Sequence, residues 1–392
     1  MEKMMLPVRE LRTLSKEQVT PGTPVLVRSD FNIPWKEMSE TLDDGGTRGR
    51  IAQAVPEIQH LIKQKAVVVL LTHWGDPHGK SDEAWSTARL APLLEKRLKK
   101  PVTFIRAVYG EPVRTALASA KPGSIFILEN VRFWRAEEKD DDAFAKAIAA
   151  PFSFFINNAF SASHRAHASI HAITRHLSSF AGEGVVSEIK RLTKPIHSPF
   201  VCMIGGAKIE TKVTLIERLG VFADVILLGG GVAIAVQLAK GDDVPGASGS
   251  FRRKEVLGAA RRVLHHFEGK ILLPTDVVAK PKEDRVLDIG PDTQTRYLRA
   301  LTEAKTVVWN GPFGIIEEEE GQGGTRKLAK ALAKTKAQVF LGGGETITFL
   351  EKEKLLLPAW NVSTGGGAML AILAGERMPG LEPLWVDVKT HS

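Results

Sequence analysis

"VVVLLTHWGDPHGKS", residues 67 to 81, joins five consecutive apolar residues to a polar loop that ends Gly79-Lys80-Ser81. A run this short and this apolar, bounded by turn residues, reads as a strand buried on both faces, the kind found in parallel sheets covered by helices. Its ending invites a nucleotide P-loop reading, which counting rejects. That motif needs four residues between its first glycine and Gly-Lys-Ser/Thr, so that successive backbone N–H groups wrap a phosphate. Only Asp76, Pro77 and His78 lie between Gly75 and Gly79, and Trp74 stands where the glycine belongs. Pro77 also removes a backbone donor, and Asp76 would set a negative charge against a phosphate.

Outward from this strand the pattern repeats. Apolar runs at Val25–Arg28, Val102–Ile105, Ile125–Leu128 and Phe152–Ile156 predict further strands in the first half. Phe200–Ile204, Val225–Leu228, Lys270–Leu273, Thr306–Trp309 and Gln338–Leu341 do so in the second. Helix-like stretches lie between them, among them Leu90–Leu98, Ala143–Ala149, Thr211–Leu219 and Leu328–Ala333. Ten strands are many for one sheet, so the fold class expected is α/β with two doubly wound, parallel-sheet (Rossmann-like) domains. The boundary falls between Ala181-Gly182 and Ser198-Pro199, giving domains 1–181 and 182–375 with a connecting helix over Val185–Leu192.

In such sheets ligands bind beyond the carboxyl ends of the strands. In the first half those ends carry Asp30-Phe31-Asn32, His73, Glu129-Asn130 with Arg132, and Asn157-Asn158, groups suited to phosphate and carboxylate oxygens. In the second half they carry Gly205-Gly206, Gly229-Gly230-Gly231, Asn310-Gly311-Pro312 and Gly342-Gly343-Gly344. One glycine cluster is a tight turn; four at successive strand ends point to backbone approaching a nucleotide. The expectation is a small anion in the first half, a nucleotide in the second, and a cleft that brings them together.

Bulk properties agree. Of 392 residues, 43% are hydrophobic and 25% charged, as in soluble globular proteins. Cys202 is the sole cysteine, so no internal disulfide forms, and a reducing cytoplasm is expected. Met1 to Glu10 lacks a signal-like apolar core, and Val225 to Ala239 falls short of the ~20 residues that span a bilayer. The net charge of +8 suits an anionic partner, but the basic runs are short and no aromatics interleave with them. Nucleic acid is therefore not expected as a partner.

With these residues in view, the chain resembles the phosphoglycerate kinase family along nearly its whole length. "VLVRSDFNIP", "TRGRI", "ENVRF" and "SASHRAHAS" are similar to its substrate-binding segments. "GGAKIETK", "LLGGGVA", "PTDVV", "DIGPDT", "WNGPFGIIE", "GGGET" and "STGGGA" are similar, in order, to its nucleotide half. The resemblance implies reversible phosphoryl transfer between 1,3-bisphosphoglycerate and ADP, giving 3-phosphoglycerate and Mg-ATP. It also implies a hinge-bending, cytoplasmic monomer whose segment 376–392 returns to the first domain. Asp30, Asn32, Arg50, His73, Arg132 and Arg165 match the family's phosphoglycerate ligands. Arg50 is chosen over Arg48 because it directly precedes Ile51 and lies six residues before Pro56. Lys208, Lys212, Asn310, Glu317, Gly343, Gly344, Glu345 and Thr346 fall on the nucleotide side, with Glu345 toward Mg2+. Arg50, Lys208 and the backbone N–H groups of Gly365 to Gly367 are implied to stabilise the moving phosphoryl group.

The opening loop aligns with the family's "HLGRP" substrate loop. Three positions depart from the family: Asp76 replaces a phosphate-binding arginine, Glu345 a metal-linked aspartate, and Asn158 an aspartate. They motivate an alternative, a divergent paralogue that binds nucleotide with weak or altered acyl-phosphate kinase activity. For Asp76 two arrangements are open. Either it points away from the ligand, or His78 and Lys80 neutralise it.

Overall fold

The structure, a computed structural model, describes residues 10–15, 18–33, 49–363, 365–373 and 375–386. Arg48 and the two chain ends lie outside the described residues. The chain forms two compact units, one from residues 8–190 together with those after 376, the other chiefly from residues 191 to 376.

The first unit is built on strands β2 (Pro24–Ser29), β3 (Val67–Leu71), β4 (Thr103–Ile105), β5 (Ile125–Leu128), β6 (Phe154–Asn158) and β7 (Ser179–Ala181), after a short β1 (Glu10–Leu11). The six form one parallel sheet in the order β4-β5-β3-β2-β6-β7. Alternation along β3 explains its all-apolar composition. Val68 and Leu70 pack into one core with Ile51, Ile58 and Trp74, while Val67, Val69 and Leu71 pack into a second with Phe144 and Ile148. Trp74, which spoils the P-loop pattern, is fully buried and donates its indole N–H to Ile33 O at 2.8 Å.

The second unit holds β8 (Phe200–Ile204), β9 (Val225–Leu228), β10 (Ile271–Leu272), β13 (Thr306–Asn310), β14 (Gln338–Gly342) and β15 (Asn361–Ser363), parallel in the order β10-β9-β8-β13-β14-β15. Beside them β11 (Val277–Lys280) and β12 (Arg285–Ile289) form an antiparallel pair. The chain then rejoins the first unit, where β16 (Trp385–Val386) pairs antiparallel with β1 and Gly380 O accepts the Asn157 amide at 2.9 Å.

The expected connecting helix runs from Glu183 to Leu192. Helix N-termini leave backbone donors without partners, and here acceptors from two neighbouring elements receive them. Glu57 Oε2 accepts the Glu183 N–H at 2.6 Å and Asn158 Oδ1 accepts that of Gly184 at 2.9 Å. A side chain on Gly182 would collide with Asn158 Oδ1 at 2.6 Å. Asn158 is thereby committed to the start of this helix. Burial pushes the Glu57 carboxyl up to about 7 against the opposing bond from Glu183, with the Glu183 charge adding to the rise.

Candidate active site

In the first sheet the strand order reverses between β2 and β6, and the loops leaving those strands meet there. Asp30, just past β2, accepts hydrogen bonds from Ser161, past β6, and from Arg50, which opens the helix Arg50–Lys63. Burial would raise the Asp30 carboxyl, but the Arg50 charge and hydrogen bond, with help from the Ser161 hydroxyl, hold it well below the usual carboxylate range. Asp30 also accepts the Asn32 N–H at 3.0 Å, and Asn32 Oδ1 accepts that of Gly75 at 2.9 Å. The loop met first is thus tied to the loop after β2.

A buried guanidinium outside the strand-end pattern lies beneath this cluster. Arg28, the penultimate residue of β2 and 1% exposed, donates to Ser29 O (2.6 Å), Ser169 Oγ (3.0 Å) and His73 Nδ1 (3.1 Å). Ser169 in turn donates its hydroxyl and its N–H to Glu137, at 2.6 and 2.8 Å. Glu137 is fully buried, and burial raises its carboxyl against the pull of Arg28. Because arginine has no acceptor, His73 Nδ1 must carry the lone pair and the ring proton must sit on Nε2. Burial first and the Arg28 charge second keep His73 neutral, well below its ordinary pKa. The signal in the sequence was a lone charge inside an apolar strand, since a charge buried on both faces must be paired.

Arg132 follows β5 in a short turn, 6% exposed, and donates Nη1 to Gly75 O at 2.9 Å. Its Nη1 lies 3.7 Å from Asp76 Oδ1 and its Nε 3.7 Å from Glu138 Oε1, while Nε makes no hydrogen bond among the described residues. His78 Nδ1 stands 3.5 Å from the same Asp76 oxygen. So the aspartate faces the Arg132 guanidinium on one side and the His78 imidazole on the other. Lys80 forms no ion pair among the described residues, and Arg132 takes the place expected of it. Arg165 is exposed and donates to His164 Nε2 at 3.3 Å.

In the second sheet the order reverses between β8 and β13. The glycines at these strand ends first serve one another. A Cβ on Gly205 would come within 2.1 Å of Pro312 O, and Gly311, at φ +88°, presses on Gly205 O. Gly205 N donates to Asn310 O and Gly206 N to Pro312 O. Close packing of loop on loop therefore accounts for part of the glycine signal.

Against this backbone floor Lys212 reaches Asn310 Oδ1, and the Asn310 amide donates to Gly342 O at 3.0 Å. Burial lowers the Lys212 ammonium pKa while the Glu345 carboxylate opposes the shift. The helix Gly344–Lys352 begins at Gly343, φ +105°, and carries Glu345 and Thr346 in its first turn. Thr346 Oγ1 is buried with no hydrogen-bond partner among the described residues. Gly365 N donates to Ser363 Oγ at 3.2 Å and precedes the helix Gly366–Leu373. That helix starts hard against Gly343, since a Cβ on Gly366 would come within 3.0 Å of Gly343 N. Lys208 is exposed in the loop after β8. A cavity of ≈ 440 Å³ opens beside these loops, lined by Gly206, Gly230, Pro312 and Phe313, with Glu317 and Glu345 among its polar groups.

Two doubly wound units, one with guanidinium and imidazole groups at its switch point and one with an apolar cavity beside glycine loops, define a class. It is the α/β proteins whose two halves suit one small anionic ligand and one nucleotide. The family model for phosphoglycerate kinase matches residues 16–376, through both units. The chain is 36% identical over 386 residues to the phosphoglycerate kinase of Herpetosiphon aurantiacus, covering 93% of this chain and 96% of that protein. With the Coprothermobacter proteolyticus enzyme of the same name it shares 36% over 399 residues, 96% of this chain and 100% of that one. Among solved structures, phosphoglycerate kinase from Coxiella burnetii superimposes with TM-score 0.79 at 32% identity, over 96% of this chain and 99% of that one. That from Pyrococcus horikoshii gives 0.80 at 29%, over 95% and 98%. The chain belongs to the phosphoglycerate kinase family.

Proposed function

We propose that the chain catalyses reversible phosphoryl transfer between 1,3-bisphosphoglycerate and ADP, giving 3-phosphoglycerate and ATP. The observation that carries this reading is the family match running unbroken through residues 16–376, both units included. It favours the enzyme over a divergent paralogue.

Phosphoryl transfer asks a protein for alignment and for charge compensation on the equatorial oxygens more than for covalent chemistry. In the first unit Arg132 and Arg165 supply cations for the substrate's anionic groups. Neutral His73, oriented by Arg28, offers Nε2–H as a donor. Asp30, which also accepts from Ser161, holds the guanidinium of Arg50, and that guanidinium acts on the moving phosphoryl group together with Lys208. In the second unit the Thr346 hydroxyl, lacking a partner among the described residues, suits a phosphate oxygen, and Lys212, bonded to Asn310 at another of the sheet's strand ends, supplies a cation. Helix N-termini carry free backbone donors, so Gly366 and Gly367 would add N–H groups.

The residues fit a magnesium ion, which prefers oxygen donors and keeps few protein ligands. Glu345, an exposed carboxylate on the cavity wall, would hold it. Bound with the nucleotide, the ion supplies charge compensation to phosphate oxygens. The protein works as a cytoplasmic monomer without nucleic acid; among the described residues no helix is long and apolar enough to cross a membrane. Turnover with 3-phosphoglycerate and Mg-ATP tests the proposal. Saturable ADP formation that depends on both substrates is expected, and none would overturn it.

A further inference from the structure

The helix Gly230–Lys240 lays one face along the cavity through Gly230, Gly231, Ala233, Ile234 and Gln237. These positions are spaced as a single helical stripe. Four of the five are glycine or apolar, and Gln237 is the exception. It is 8% exposed, and its Nε2 donates to Pro274 O at 2.9 Å, on the same cavity wall. That bond fixes which end of the amide is which, since reversing it would set oxygen against oxygen. Oε1 is left buried with no hydrogen-bond partner among the described residues. One N–H of the amide's two also remains after the bond to Pro274.

A buried acceptor without a donor is costly in a protein interior and marks a place where a ligand group completes the bond. The cavity's other wall groups nearby, such as Phe251 and Val277, suit a flat aromatic ring. Gln237 lies seven residues past Gly230, about 10 Å along the helix at ~1.5 Å per residue, away from the glycine loop.

We infer that Gln237 determines base specificity in this cavity, its Oε1 accepting a hydrogen bond from the 6-amino group of an adenine nucleotide. A glutamine amide matches an adenine edge, where an amino donor sits beside a ring-nitrogen acceptor. A 6-oxo purine would oppose oxygen to oxygen at this point. The inference rests on the proposed nucleotide site and adds to it which atom of the base is read.

Calorimetry on the full chain tests it with ADP, with the analogue lacking the 6-amino group (purine riboside diphosphate), and with IDP. In the native protein ADP should bind about 10-fold tighter than the analogue, the range of one buried hydrogen bond. IDP should bind no better than the analogue. Gln237→Leu, and the closer-fitting Gln237→Met, should bring ADP and the analogue within about 2-fold of each other. The affinity for 3-phosphoglycerate should stay unchanged in both. Native protein that binds ADP and the analogue equally, or discrimination that survives in either folded variant, overturns the role of Gln237 and leaves the nucleotide site standing. Absence of ADP binding to the native protein overturns both.

Discussion

Replacing Asp76 by asparagine removes one unit of negative charge 3.7 Å from the Arg132 guanidinium. At an effective dielectric of about 20, a pair at that distance interacts by roughly 4 kcal/mol. The Asp76 side chain is 57% exposed, however, and exposed pairs measure about 0.2–1 kcal/mol once solvent and side-chain entropy are included. The lower range decides the prediction. Freed from its partner, Arg132 should bind the substrate's anionic group more tightly, and the KM for 3-phosphoglycerate should fall between about 1.4- and 5-fold. Asp76→Arg, which also adds a cation, should lower it by roughly 10-fold at low salt. Because the charge acts on ground and transition states alike, kcat should hardly move. Raising the ionic strength from about 0.05 to about 1 M, where the screening length shrinks to ~3 Å, should erase most of the difference. Steady-state kinetics at the two salt levels is the assay. An unchanged KM in both variants at low salt would refute the claim that Asp76 restrains a substrate-binding Arg132.

Arg50→Ala and Lys208→Ala should each lower kcat by roughly 10²-fold or more if, as proposed, both cations act on charge that develops during transfer; near-normal kcat in either removes that residue from the chemistry. Glu345→Asp shortens the carboxylate by one methylene and should shift the Mg2+ dependence of turnover while leaving 3-phosphoglycerate affinity unchanged, as magnesium titrations would reveal. Glu57 has a raised carboxyl, about 7, so its contribution is fully present below the unfolded value near 4.5 and is lost as pH rises through 7. Glu57→Gln keeps an acceptor for the Glu183 N–H and should therefore raise the melting temperature at about pH 8, by an amount corresponding to at most about 3 kcal/mol, and gain little near pH 4.5. Melting curves of both proteins across that range would expose an equal shift at every pH, which would contradict the titration.

Strands buried on both faces were the most legible part of the sequence. Val67–Leu71, Ile125–Leu128, Phe200–Ile204 and Val225–Leu228 have the same bounds in the structure as in the apolar pattern. The edge strands Ser179–Ala181 and Asn361–Ser363 went unseen because three residues, two of them polar in the second strand, carry no periodicity of their own. Tertiary pairing makes them strands. Val277–Lys280 and Arg285–Ile289 were missed for a related reason, since a half-exposed hairpin shows neither a continuous apolar run nor a clean alternation. Within the site, Asp30, Asn32, His73 and Arg132 were legible as polar residues at strand ends. Arg28 was not, because it was counted within the strand Val25–Arg28 and not with the loop after it, and its partners Ser169 and Glu137 lie more than a hundred residues away. Asn158, also polar at a strand end, has a structural partner besides. Position suggested a ligand group, and its oxygen accepts the Gly184 N–H.

Transfer itself can be followed in one turnover. Native protein is mixed with 3-phosphoglycerate and Mg-ATP labelled in the γ-phosphoryl group, and the reaction is quenched within a catalytic cycle. The products are separated, and hydroxylamine, which displaces phosphate from acyl phosphates, is added to each. We expect label in a product distinct from ATP and inorganic phosphate, from which hydroxylamine releases it. Its formation should depend on 3-phosphoglycerate and be slowed by roughly 10²-fold in Lys208→Ala. Label that appears before hydroxylamine as inorganic phosphate alone, or stays on the nucleotide, would contradict phosphoryl transfer to the carboxylate.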